Sequence, residues 1–191
     1  LSAATFIKTF LSHPGQVGAI VPSSRYLAAE MVHWIEWPKV QAVVEYGPGT
    51  GVFTRSILHC LPPEAKFFAI ERSPELAAVV RDCCPQAKVF EDSVENVAEL
   101  CRQQQIEQVD AVLCGLPWAS FPEPLQDRCL SALMDVLRPG GQFVSFAYWQ
   151  GMALPAAWRF RRKLDEYFSD VHRSATVWRN LPPAFVYRCR R

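Results

Sequence analysis

The sequence predicts an α/β fold built on a mostly parallel, seven-stranded sheet, and three observations carry that expectation. From residue 40 onward, short apolar runs rich in Val, Ile and Phe alternate with segments of helical spacing, the pattern of strand–helix–strand units with right-handed crossovers. The stretch "VVEYGPGTGVF" at 43–53 places three glycines and a proline straight after a buried-type run. A strand leaving a sheet toward a close polar ligand has that form, because bare backbone and a helix N-terminus can approach the ligand together. The chain ends in two strand-like stretches around "LPP", which read as an antiparallel hairpin closing the sheet.

The elements follow in order. "SAATFIKTFLSH" puts Phe6, Ile7, Phe10 and Leu11 at helical spacing, with Lys8 its single Lys or Arg and Pro14 and Gly15 beyond it. This is an amphipathic helix, packed on the domain or lying on a membrane surface. "VGAIVPSSRYLAAEMVHWI" then offers Ser23 or Ser24 as N-cap of a second helix to about Ile35. Residues 1–39 thus form an N-terminal helical segment, a cap toward membrane or substrate, and 40–191 the main domain. Strands are expected at 42–46, 66–71, 88–91, 109–114 and 142–148, with helices at 52–61, 74–83, 93–104 and 124–137. "RPGG" at 138–141 is the turn into the fifth strand. After a helix near 153–168, "VHRSATVWRN" and "AFVYRCR" form the closing hairpin.

Composition narrows the function. Twenty Lys and Arg stand against nineteen Asp and Glu, for a formal charge of +1. A dedicated nucleic-acid binder needs a larger basic excess, so no nucleic-acid partner is expected, although "RFRRK" and "RCRR" are local basic patches. Seven cysteines form no CxxC pair, and no secretory signal pattern opens the sequence. Reduced thiols in a cytoplasmic protein without a metal site are the expectation. No apolar run is long enough to span a bilayer, so any membrane contact is peripheral. His13, His33, His59 and His172 show no partner pattern that would make one of them a base.

The ligand of the glycine loop follows from register. A dinucleotide fingerprint, G-x-G-x-x-G, would run from Gly47 and Gly49 to a third small residue where Val52 stands. The actual pattern is E-x-G-x-G-x-G, from Glu45 through Gly47 and Gly49 to Gly51, and it resembles the first motif of class I S-adenosylmethionine-dependent methyltransferases, whose fold is Rossmann-like. Glu71 ends the second strand, where a carboxylate can accept two ribose hydroxyls. Arg72 beside it is counted with the same set. Asp92, with Ser93 next to it, ends the third strand, where such methyltransferases contact the adenine amine. Glu45 either holds the loop amides or reaches the methionine ammonium. Tyr46 and Trp118 can face the sulfonium, with ordinary packing as the alternative, and Cys114 closes the fourth strand against the cofactor.

"LCGLPWASFP" leaves the fourth strand. Amino-methyltransferases of adenine and glutamine carry [N/D]-P-P-[Y/F] there, and here Gly115, Leu116, Pro117 and Trp118 occupy the stretch. The side-chain amide or acid is gone, while backbone carbonyls of Cys114, Gly115 or Leu116 can still orient an amine. "GAIVPSSRYLAAEM", "VVEYGPGTGVFTRSIL", "FFAIERS", "GLPWASFP", "LRPGGQFVSFAYW" and "RNLPPAFVYRCRR", in that order, resemble the bacterial phospholipid N-methyltransferase family. The resemblance implies transfer of methyl groups from S-adenosylmethionine to the amine of phosphatidylethanolamine or an ornithine lipid. It also implies peripheral association with the inner face of the membrane. Leu116, Pro117 and Tyr148 are then the catalytic candidates, Tyr148 contacting the amine or relaying its proton. Ser23, Ser24, Arg25, Gly115, Trp118 and Arg188 are the substrate-binding candidates, the two arginines for a lipid phosphate. A ribosomal RNA adenine dimethylase-like enzyme, a methyltransferase of small amines and an inactive cofactor-binding partner protein stand as alternatives.

Overall fold

The computed structural model describes residues 23–191; the amphipathic helix expected around Phe6 to Leu11 falls outside the described residues. Helix α1 (Arg25–His33) starts on Ser24, whose hydroxyl accepts the Leu27 amide, the capping role expected for a serine there. Then come β1 (Ala42–Tyr46), α2 (Val52–Cys60), β2 (Lys66–Glu71), α3 (Pro74–Cys83), β3 (Lys88–Glu91), α4 (Val97–Gln103), β4 (Val109–Cys114), α5 (Glu123–Val136), β5 (Leu137–Tyr148), α6 (Pro155–Tyr167), β6 (Asp170–Arg173) and β7 (Ala184–Arg190).

The seven strands form one sheet in the order β3-β2-β1-β4-β5-β7-β6. Strands β1 to β5 are parallel, and β7 runs antiparallel to both β5 and β6. All five residues of the central β1 are buried, as both faces of a parallel strand are when helices cover them. Alternation assigns the faces. Val44 and Tyr46 join Phe143, Phe160 and Leu164 in the core under α4, α5 and α6. Val43 joins Leu27, Met31, Ile57 and Val186 under α1 and α2, so α1 is integral to the packed body. The chain leaves β1 toward β2 on one side and returns to β4 on the other. At that reversal the loops diverge, and a crevice opens at the carboxyl ends of the strands.

Three boundaries differ from expectation. "RPGG" is drawn into a long β5 as a bulge: Val109 pairs with Leu137 and Ala111 with Gln142, and Gly140 takes a φ of 73°. Asp110 makes this possible by accepting the Gln41 and Ala42 amides at 2.7 and 2.9 Å and the Arg138 guanidinium at 2.5 Å. The helix expected from 93 begins as a 3-10 turn, Val94–Asn96, because the Asp92 carboxylate draws in both the Ser93 amide and the Asn96 side chain, each at 2.7 Å. The first hairpin strand ends at Arg173, where the Ser174 hydroxyl takes the Val186 amide at 2.9 Å in place of a ladder bond.

Candidate functional site

Residues 47–51 join β1 to α2 at the crevice. Gly47, Gly49 and Gly51 all hold positive φ, at 65°, 58° and 77°, a region that side-chain-bearing residues rarely adopt. At Gly47 a Cβ would also lie 2.9 Å from Leu116 Cδ2, so that side-chain end would have to turn aside. Gly115 answers from the other loop, where a Cβ would meet the Gly47 carbonyl oxygen at 2.5 Å. The Gly115 amide donates to Tyr46 O at 2.7 Å, so the two loops are in backbone contact. By contrast, a Cβ on Gly49 would meet nothing within 4 Å; this glycine faces open cavity.

Glu71, at the end of β2, ties the cradle together. Its Oε2 accepts the Gly49 amide at 3.1 Å and its Oε1 the Ser73 amide at 3.0 Å. Burial raises its pKa, and these backbone donors oppose the rise. Asp92 follows β3, and the Ser93 amide and Asn96 both bond its Oδ1. Its Oδ2 has no donor among the described residues, which leaves a free acceptor on a residue that lines the cavity. Ser93 is committed to capping, its hydroxyl accepting the Glu95 amide at 3.3 Å.

Glu45 lies under the loop and is fully buried. Its Oε2 accepts the Thr54 hydroxyl at 2.7 Å, while Oε1 has no partner. Burial lifts its pKa to about 8, with nearby Glu71 adding to the rise. A buried, unpartnered carboxylate oxygen is costly unless a cation or donor reaches it. The chain thus offers an acidic pair at the loop, a second acceptor at Asp92 and bare backbone between them. A ligand with a ribose diol, an amine-bearing base and a cationic end fits this donor and acceptor set, and S-adenosylmethionine has all three.

Glu71, Arg72, Asp92, Ser93, Gly47, Gly49, Gly115, Leu116, Pro117, Trp118, Tyr148 and Ser23 all line one cavity of about 860 Å³. That volume is near the upper end of small-molecule sites, which run to about 1,000 Å³. The acceptor half lies beyond β4. There the Cys114 carbonyl accepts the Ser145 hydroxyl at 3.2 Å, Leu116 O accepts the Trp118 amide at 3.0 Å and Pro117 O the Ser120 amide at 2.8 Å. The Gly115 carbonyl is the one in this run without a donor among the described residues. Gln126, fully buried, fixes the loop by donating to Trp118 O at 2.8 Å and Ala156 O at 3.0 Å. Trp118 bonds Ser145 Oγ at 3.1 Å and stacks on Phe160 at 4.3 Å, so one face of its ring is taken. The Tyr148 phenol oxygen is buried and unpaired; Ser23 neighbours it without hydrogen-bond alignment. Burial pushes this phenol up to about 12, against the nearby Ser23 hydroxyl. It therefore keeps its proton at neutral pH.

The structure leaves several sequence-predicted residues outside the cavity. Glu45, fully buried beneath the loop, does not line it; Tyr46 is a fully buried core residue and Cys114 a buried strand end. Gly51 opens α2, and Ser24 caps α1. Arg25 is exposed and bonds the Tyr26 hydroxyl at 3.0 Å. Arg188 pairs with Glu30 of α1, pinning that helix to β7 in place of reaching toward a phosphate. Sequence reasoning missed the apolar wall of Phe53, Phe146, Met152, Leu154 and Ala157. For Phe146, Met152 and Leu154 the signal was the mostly apolar run "FAYWQGMALP" from the end of the fifth strand onward.

Comparison with known proteins agrees with this geometry. Residues 43–141 match the model of a family described as a methyltransferase domain. An ornithine lipid N-methyltransferase of Singulisphaera acidiphila is 32% identical over 190 residues, spanning 97% of this chain and 94% of its own. Among solved structures, an O-methyltransferase from Bacillus cereus in complex with SAH superposes with a TM-score of 0.66 at 12% identity, over 98% of this chain and 90% of that one. A SAM-dependent methyltransferase from Aquifex aeolicus gives 0.64 at 12% identity, over 100% and 99%. These two likenesses establish the Rossmann-like fold. With the glycine cradle, the two strand-end carboxylates and the family match in place, the chain belongs to the S-adenosylmethionine-dependent methyltransferases, in the family that holds the ornithine lipid N-methyltransferase.

Proposed function

We propose that the protein methylates the amine nitrogen of a membrane-lipid headgroup, of the ornithine-lipid or phosphatidylethanolamine kind. The observation that carries this reading is the acceptor half of the cavity. A single unpartnered carbonyl, that of Gly115, stands in a wall of Leu116, Phe146, Met152 and Leu154, with no amide or carboxylate side chain in the run after β4. Such a wall suits a thin amine on an acyl-bearing molecule, whereas a planar base amine is ordinarily held by a polar side chain. The 32% identity to an ornithine lipid N-methyltransferase over nearly the whole chain supports the same substrate class.

When bound, S-adenosylmethionine supplies an electrophilic methyl carbon, and the chain's task is to present a neutral nitrogen to it in line. A lysine-like amine has a pKa of about 10.4, so a neutral nitrogen at pH 7 costs about 4–5 kcal/mol in water. Entry into an apolar cavity lowers that pKa by desolvation. The Gly115 carbonyl takes one N–H and turns the lone pair away from itself. The Tyr148 phenol, still protonated, orients the amine by hydrogen bonding and is too weakly acidic to act as its base at neutral pH. Glu71 and Asp92 hold the ribose and adenine sides, with Arg72 at the edge of the same pocket. In this reading the protein works peripherally at the cytoplasmic face of the membrane. No helix among the described residues is long and apolar enough to cross a bilayer.

Incubating the protein with isotopically labelled methyl donor and total bacterial lipid, then resolving products by mass, tests the reading. Label is expected in an amine lipid. Label in RNA or in soluble amines, with lipid unlabelled, overturns it.

A further inference from the structure

Among the described residues, the large apolar side chains that stand exposed are Tyr26, Trp149, Leu154, Trp158, Trp178 and Leu181. They gather at one end of the molecule. Trp149 follows the carboxyl end of β5, and its amide donates to Pro183 O at 3.1 Å. Its indole N–H donates to the Thr176 hydroxyl at 3.0 Å, inside the β6–β7 connection that carries Trp178 and Leu181. That connection is tied to the start of α1, where the Ser24 amide donates to Asn180 Oδ1 at 2.8 Å and Arg179 bonds the Tyr26 hydroxyl at 3.2 Å. Leu154 belongs at once to this group and to the cavity wall, and Trp158 stands one turn further along α6. The turn after β5 and the connection into β7 thus stand at the crevice edge of the sheet, and Leu154 joins the group to the cavity.

Trp178 and Leu181 are 76% and 72% exposed, which nothing in the packing of the fold requires. Tryptophan, tyrosine and leucine clustered beside a cavity mark a contact surface, not scattered surface residues. Charge identifies what is contacted. Segments 23–29, 149–162 and 171–183 carry six arginines and no Asp or Glu, in a chain whose formal charge is +1. Arg159 and Arg161 pair with Glu123 and Asp165. Arg25, Arg162, Arg173 and Arg179 meet no carboxylate among the described residues. Arg173 lies 5.0 Å over the Trp149 ring, and Arg25 and Arg179 each lie 5.0 Å from the Tyr26 ring centre. Amphipathic aromatics with unpaired cations between them match the interface of an anionic bilayer, where rings sit at headgroup depth and guanidinium groups meet phosphates.

We propose that this rim, built from the start of α1, the turn after β5 and the β6–β7 connection, docks on an anionic membrane surface and sets the cavity mouth against the headgroups. It rests on the reading of the substrate as a membrane lipid, and the experiment separates the two. Vesicles of phosphatidylglycerol and phosphatidylcholine, neither carrying a primary amine, are sedimented with the parent protein, with Trp178→Ala/Leu181→Ala and with Arg173→Gln/Arg179→Gln. The parent is expected to partition onto mixed vesicles far better than onto phosphatidylcholine alone, and each double variant to lose about tenfold in partitioning. Donor affinity by calorimetry should stay at the parent value in both variants, since none of the four side chains lines the cavity. Parent-like sedimentation of both variants overturns the proposal, as does equal binding of the parent to neutral vesicles. So does a parent dimer that Trp178→Ala/Leu181→Ala converts to monomer, because the rim is then a contact between copies of the chain. Methyl transfer to an amine lipid in detergent micelles reports on the substrate alone. Docking without transfer keeps the rim and removes the lipid-amine reading; transfer in micelles without vesicle binding does the reverse.

Discussion

Replacing Glu45 by Gln separates the stability of the donor cradle from its function. The folded protein holds the Glu45 proton up to about pH 8, against an ordinary value of 4.5, chiefly because the side chain is buried. Between those values the folded state binds more protons than the unfolded state, so stability is fullest below about 4.5 and falls as pH rises toward 8. Integrated between pH 5 and pH 8, this single group removes about 3–4 kcal/mol of stability. Gln has no proton to lose and keeps a carbonyl oxygen for the Thr54 hydroxyl. Urea denaturation without donor, at pH 5 and pH 8, should therefore show the parent losing about 3–4 kcal/mol more than Glu45→Gln across the interval. The variant should bind S-adenosylmethionine more weakly by about 1–3 kcal/mol, the value of a charged hydrogen bond. Parallel pH profiles for the two proteins would mean that Glu45 is already ionised and solvated, and the account of its orphaned oxygen would be wrong.

Three further outcomes follow from the same geometry. Asp92→Ala should weaken donor binding by about 1–3 kcal/mol in calorimetry, through loss of the one strand-end acceptor whose Oδ2 is uncommitted; an unchanged affinity removes Asp92 from the site. Gly115→Ala forces a methyl group to within 2.5 Å of the Gly47 carbonyl oxygen, so both loops must part. Thermal denaturation should register a loss of about 1–3 kcal/mol together with a sharp fall in donor affinity. Gln126→Met keeps the volume but strips hydrogen bonds from Trp118 O and Ala156 O. A cost of about 1–3 kcal/mol in urea, with donor affinity retained and methyl transfer reduced, would place Gln126 as a positioning residue for the acceptor loop.

Much of the donor side was legible in the chain because it depends on local order. Glycines after an apolar strand fix a loop, and acids at consecutive strand ends fix two acceptors, since parallel strands bring their carboxyl ends to one edge whatever the details of packing. The acceptor side was harder to read. Arg188 sits in a suggestive sequence, yet its partner is Glu30, 158 positions away, and only the packing of α1 on β7 brings them together. Tyr46 follows the acid of the motif, but alternation along β1 turns it into the core beneath α5. The carbonyls after β4 look equivalent as letters, and only the turn at Pro117 decides that those of Leu116 and Pro117 are already engaged. "RPGG" carried every mark of a turn, and the Asp110–Arg138 pair across the strands made it a bulge.

The reversal of β7 divides labour within one sheet. Had its seven residues run parallel to β5, the connection entering it would emerge at the far edge, about 23 Å from the crevice at 3.3 Å per residue. Running the other way, the strand returns Trp178 and Leu181 to the edge where the glycine loop and Glu71 line the crevice. The connection before β7 thus reaches the crevice from the side of the sheet away from the glycine loop and Glu71, so exchanging residues 149–183 among relatives should change which amine is chosen and leave donor affinity intact.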